Sequence, residues 1–256
     1  GILGLSYRLD KTGAMVDPST EAYYKTTKSS SGEYGKVDIT NNGTITMNKD
    51  SALGIYAHNN SLAAKNTTDR RTSNTEVKAT NTGTITMNGG NNSIGMGTNR
   101  GTLLNTGTIN VNGKHSIGMY ASGAGSTATN DGNIVLNASN TTGIYADNGA
   151  TAINNNSITT GSGTYRNTVG VYLGKNSKLI NNKGATIDIN AKNGVGVYLK
   201  GGTVENYGTI KVNGSTKDED TIYEYTVPAT GKGVGGVKID APAGVSTATI
   251  TLNGVP

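Results

Sequence analysis

One phrase keeps returning along this chain, and its spacing limits the folds available. Gly43-Thr44-Ile45-Thr46-Met47-Asn48 recurs as Gly83-Thr84-Ile85-Thr86-Met87-Asn88 and as Gly107-Thr108-Ile109-Asn110-Val111-Asn112. Looser copies follow at 132–137, 157–160, 185–190 and 208–213. The steps between the equivalent isoleucines, from Ile45 to Ile210, are 40, 24, 25, 24, 29 and 23 residues, so the basal period is about 24 with insertions. Within each copy apolar and polar residues alternate, the mark of a strand with one buried face.

A second phrase lies about ten residues further on: Leu53-Gly54-Ile55-Tyr56-Ala57, Ile117-Gly118-Met119-Tyr120-Ala121, Val195-Gly196-Val197-Tyr198-Leu199 and their relatives at 94–97, 142–146 and 169–173. Period-two parity puts Leu53, Ile55 and Ala57 inside, with Val195, Val197 and Leu199 equivalent to them, and leaves Gly and Tyr alternating outside. A third stretch ends at Asn41, Asn81, Asn105, Asn130, Asn154, Asn181 or Asn206, always two residues after an apolar one. The Asn therefore shares the inward parity. An inward amide must be hydrogen-bonded, and a stack of equivalent amides satisfies each by its neighbour. The Gly that follows in Asn-x-Gly suits a turn that visits positive φ.

Three strands per 24-residue turn, like stacked on like, predict an all-β, right-handed parallel β-helix, a rod about 34 Å long for seven coils at ~4.8 Å per strand. Composition agrees. Only 33% of the residues are apolar and there is no Phe or Trp, which is thin for a globule but enough for a coil that borrows burial from its neighbours. The expected organisation is an irregular segment at 1–36, regular coils at 37–213, an extruded loop at 214–233 and last partial coils at 234–256. Leu3-Gly4-Leu5-Ser6-Tyr7 reads as a decayed second phrase; Val234, Val237 and Ile239 supply that strand for the last full coil, and Ala248, Ile250 and Leu252 begin another. The chain reads as an internal fragment whose targeting signals lie elsewhere.

Insertions interrupt the period at 65–78, 161–168 and 215–233, and loops on a rigid scaffold are where binding residues gather. The last holds Asp218, Glu219 and Asp220 beside Tyr223, Glu224 and Tyr225, a set able to grip a cationic group by carboxylate pairing and ring-face contact. The first holds Asp69, Arg70 and Arg71, suited to a carboxylate or phosphate or simply to a wet surface. The outward Tyr56, Tyr120, Tyr145, Tyr172 and Tyr198 form a column that either stacks on itself or offers a stripe to a sugar or protein. Asn81, Asn105, Asn130, Asn154, Asn181 and Asn206 are structural.

Catalysis finds little support. There is no Cys, His58 and His115 lack an orienting acid and activated Ser at a recognised spacing, and no phosphate loop follows a strand into a helix. The expectation is no enzyme, no metal and no cofactor. Net charge is +5, with Lys scattered rather than striped, so nucleic acid is not an expected partner.

The alternation of Asn-Thr-Gly-Thr-Ile-Asn-Val-Asn at 105–112 with Ser-Ile-Gly-Met-Tyr-Ala at 116–121 resembles the passenger domains of large autotransporter adhesins, fusobacterial outer-membrane ones in particular. The resemblance covers 37–213. It implies an extracellular, monomeric β-helix on a Gram-negative cell, held to the membrane by a β-barrel outside this fragment. The implied role is adhesion to a surface protein or glycan of host cells or other bacteria; a purely structural stalk presenting a distal binding domain is the alternative.

Overall fold

The computed structural model describes residues 2–6, 37–59, 77–89, 91–213, 237–239 and 249–252. It is a right-handed parallel β-solenoid with three strands per coil and, among the described residues, no helix. Strands stack into three parallel sheets of eight, eight and seven members. One sheet collects the Thr-Ile strands, from Thr44–Met47 to Thr209–Val212; a second the Gly-Tyr strands, including Leu53–Asn59, Ile117–Ser122 and Val195–Leu199; the third the Asn-ending strands, from Val37–Asn41 to Gly202–Asn206.

Register explains why the repeat had to be in phase. Ile45, Ile85, Ile109, Ile134, Ile158, Ile187 and Ile210 are paired in succession across seven strands. The middle five are fully buried, while Ile45 and Ile210 are partly buried at the two ends of the column. Each coil thus seals the isoleucine of the one before it, which is how a chain so poor in large apolar residues still closes a dry core.

The Gly-Tyr strands depart from simple alternation. Leu53 is 42% exposed and Val195 is half-buried, so the first residue of the phrase points outward and not inward. The Gly after it faces the core instead of the solvent: a Cβ on Gly118 would lie 2.7 Å from the Gly143 carbonyl oxygen and 3.0 Å from Ile134 Cγ2. Gly95, Gly143 and Gly170 are crowded in the same way by the next coil and by the isoleucine column. Cross-strand pairing passes from Ile117↔Thr142 directly to Met119↔Ile144, leaving the glycines unpaired. The strand bends at this Gly, as at a bulge, and parity restarts with Met119 inside, Tyr120 outside and Ala121 inside.

The Asn-x-Gly glycines also have a different reason from the one their sequence suggests. Of those at Gly43, Gly83, Gly107, Gly132, Gly184 and Gly208, only Gly184 has positive φ. A Cβ on Gly107 would sit 2.0 Å from the Gly83 carbonyl oxygen, so the stacked turns from Gly83 to Gly132 approach too closely for a side chain, whereas the later coils carry Asn156 and Ala185 at this register.

At the ends, Ile2–Ser6 joins the Gly-Tyr sheet but out of phase, with Gly4 opposite Ala57 rather than Gly54. Val237–Ile239 joins the same sheet, opposite Val197 to Leu199. Thr249–Leu252 closes a coil rather than beginning one, because it pairs in the Asn-ending sheet with Leu252 opposite Asn206. The first insertion is shorter than its sequence limits, since Val77–Asn81 is already strand.

Candidate functional site

The Gly-Tyr sheet displays the aromatic column on its outer face. Tyr120, Tyr145, Tyr172 and Tyr198 occupy one register position on four successive strands. Ring centroids are 5.6 Å apart with a 36° tilt for the first pair, then 4.3 Å at 14° and 5.1 Å at 7° for the next two. All four rings are half-buried, so each is covered by its neighbours along the column while its outer part meets solvent. Tyr56 lies beyond the gap at Gly97 and leans into it, since a Cβ on Gly97 would be 2.6 Å from the Tyr56 ring. On its own strand Tyr56 stacks with His58 at 6.1 Å.

Burial pushes the Tyr145 hydroxyl pKa well above the ordinary tyrosine range, and the nearby Tyr172 hydroxyl and Asp147 carboxylate push the same way. Tyr56 is raised by burial and by Tyr120. At these two positions the hydroxyl therefore stays protonated at any physiological pH. What the column presents is ring faces and hydroxyls.

Inside the coil the amides form an unbroken ladder. Nδ2 of Asn41 donates to Oδ1 of Asn81 at 2.7 Å, and the same bond repeats from Asn81 to Asn105, Asn130, Asn154, Asn181 and Asn206 at 2.7 to 2.9 Å. Asn81, Asn105, Asn130, Asn154 and Asn181 are fully buried. A second inward polar column escapes sequence reading: Ser93, Ser116, Thr141 and Thr168 are buried just before the Gly-Tyr strands. Their hydroxyls donate to turn carbonyls, Ser116 to Lys114 and Thr141 to Ala138, and Ser116 Oγ accepts from the Ser93 N–H at 3.1 Å. The signal was the hydroxyl residue before four of the six phrases, which parity within the strand does not reach.

His115 sits at a left-handed turn position shared by Asn92, Asn140, Asn167 and Asn193, so its place in the coil is that of a turn residue. Among the described residues no group of three or more His, Asp or Glu side chains could hold a metal. Asp218, Glu219, Asp220, Tyr223, Glu224 and Tyr225 lie outside the described residues, as do Asp69, Arg70 and Arg71.

No curated protein and no solved structure matches the chain. A family model does match, that of the BigA third pectate lyase-like domain, over residues 19–157. The match supports a β-helix surface protein, a coarser statement than a fusobacterial adhesin. "Pectate lyase-like" here names a fold and brings no catalytic residue to this chain. With the coil geometry and a match over more than half its length, the chain belongs to the family of BigA third pectate lyase-like domains.

Proposed function

We propose that this chain is a segment of a Gram-negative cell-surface adhesin, extracellular and monomeric, that attaches to a protein or glycan on host cells or other bacteria. The observation that carries the reading is the run from Tyr120 to Tyr198, a half-buried aromatic stripe across four coils with no polar break in it. Aromatic surfaces of this kind recur at binding hot spots. The family match to a surface-protein β-helix and the resemblance to fusobacterial passenger domains point the same way. Asp218, Glu219, Asp220, Tyr223, Glu224 and Tyr225 are proposed as a second contact region for a cationic group. Asp69, Arg70 and Arg71 are a third, for an anionic one.

The stalk reading has its own support. The buried Asn ladder and the buried Ser/Thr column are hydrogen-bonded within the coil, as a rigid spacer requires. The experiment is adhesion of beads carrying the chain to epithelial cells and to bacteria, comparing three proteins of equal β-sheet content by circular dichroism. These are the parent, a Tyr145→Ser/Tyr172→Ser double variant, and a variant with 216–232 replaced by a short Gly-Ser linker. Loss of adhesion in the Tyr variant supports the aromatic face, and loss in the linker variant assigns contact to that loop. Adhesion by none of the three leaves the stalk, and equal adhesion by all three moves the contact to another face of the coil.

A further inference from the structure

On another face, an open groove of about 510 Å³ runs along the turn between the Thr-Ile and Gly-Tyr strands. It exists because a side-chain ladder ends there. Asn112 donates to Asn88 Oδ1 and Asn137 to Asn112 Oδ1, both at 2.9 Å, but the next coil has Gly161 at this place and the chain leaves the coil through 161–168. The loop returns with Tyr165, whose hydroxyl accepts from the Gly163 N–H at 3.2 Å and whose ring lines the groove while packing partly on the core.

Several side-chain acceptors of the polar lining are already engaged. Asn112 Oδ1 is taken by Asn137, Asn91 Oδ1 by the Lys114 N–H and Ser139 Oγ by the Arg166 N–H. Asn137 Oδ1 is pressed against Gly161. Asn112 and Asn137 each spend one amide N–H on the ladder and keep the second, and the exposed Lys114 ammonium pairs with no carboxylate among the described residues. No Asp or Glu lines it. The same turn position carries Arg166 two coils from Lys114, and Lys192 after it; the turn bonds from Asn92 to the Lys114 carbonyl, Asn140 to Arg166 and Asn167 to Lys192 fix this register. At ~4.8 Å per coil, Lys114 and Arg166 are about 10 Å apart along the rod.

We propose that this groove binds an anionic saccharide, with the Tyr165 ring against a sugar face and Lys114, the Asn amides and Arg166 on its sulfate or carboxylate oxygens. Donor-rich walls recognise acceptor-rich ligands, and charge-assisted hydrogen bonds are the strong ones. The site is independent of the Tyr column, so either can fail without the other.

The test is titration calorimetry on the 256-residue chain with three oligosaccharides of matched length: a sulfated heparin fragment, a carboxylated oligogalacturonate and a neutral dextran fragment. Binding is expected for the sulfated or the carboxylated probe, whichever source fits better, and not for the neutral one. Lys114→Ala and Arg166→Ala should each weaken it about tenfold. Asn91→Asp, which keeps the acceptor for the Lys114 N–H but puts a carboxylate in the groove, should abolish it. The control is Lys175→Ala/Lys200→Ala, which removes two positive charges from a different turn. Equal binding of the neutral probe, binding of none, or the same loss in the control as in Lys114→Ala overturns the proposal.

Discussion

The Asn ladder and the Tyr column are built the same way, one residue type repeated at one position of successive coils, but they respond differently to interruption. From Asn41 to Asn206 the ladder has an amide in every described coil, each donating to the next. The column tolerates Gly97 in its middle, and Tyr56 simply leans over the vacancy. Inside, a missing member strands two buried polar groups. Outside, it exposes two ring faces to water, which solvates them at small cost. Repetition is thus compulsory where water is excluded and optional where it is not.

The sharpest way to break this contrast is Asn130→Leu. It removes the acceptor of the Asn105 amide and the donor to Asn154 Oδ1, both in fully buried residues. The expected loss is about 1–3 kcal/mol for each group left unpaired. Stacked repeats need not unfold in two states, so amide hydrogen exchange in the flanking strands Thr102–Asn105 and Thr151–Asn154 is the measurement to pair with denaturation. Protection unchanged on both sides would mean that the ladder is not what seals the coil.

Gly118→Ala comes next. A methyl group at this position meets the Gly143 carbonyl oxygen and Ile134 Cγ2, and backbone on one side leaves only the isoleucine to give way. Overpacking of this kind costs about 1–3 kcal/mol. The variant also separates two readings of the phrase: an outward Gly would accept Ala without loss, an inward one would not. Thermal melts of Gly118→Ala against the parent decide it.

That Gly marks where sequence reasoning stopped working. The isoleucine column and the inward Asn were legible because within a four- or five-residue strand, parity alone determines which side chains share a face. Parity assumes a straight strand, however, and the bend at Gly118 resets it, which is why Leu53 and Val195 fall outside and glycine inside. The Ser/Thr column was hidden for a related reason: Ser116 is turned inward by the corner that precedes its strand. The end strands were recognised as strands but not in register, because Gly4 against Ala57 depends on which coil face remains unpaired. The groove beside Tyr165 was beyond reach, since it brings together residues from Asn91 to Tyr165 that only stacking makes neighbours.

The smallest effect, and the one that tests the outside half of the comparison, lies at Tyr145. Replacing it by Leu removes its contacts with Tyr120 and Tyr172, at about 0.5–1.5 kcal/mol for each ring pair. Tyr145→Phe keeps the rings stacked and should be close to neutral at pH 7. The two proteins separate in alkali. Because burial and its neighbours raise the folded-state pKa of Tyr145, the folded chain holds a proton that the unfolded chain releases. The stability tied to that proton is intact below the unfolded value of about 10 and is lost progressively as pH rises above it. The parent should therefore lose stability more steeply than Tyr145→Phe between pH 10 and the onset of general alkaline unfolding, with the two superimposed below pH 9. Urea midpoints measured at intervals across that range test this. Parallel curves throughout would show the Tyr145 hydroxyl to be as well solvated in the fold as out of it, and the column to be a row of separate surface tyrosines rather than a stack.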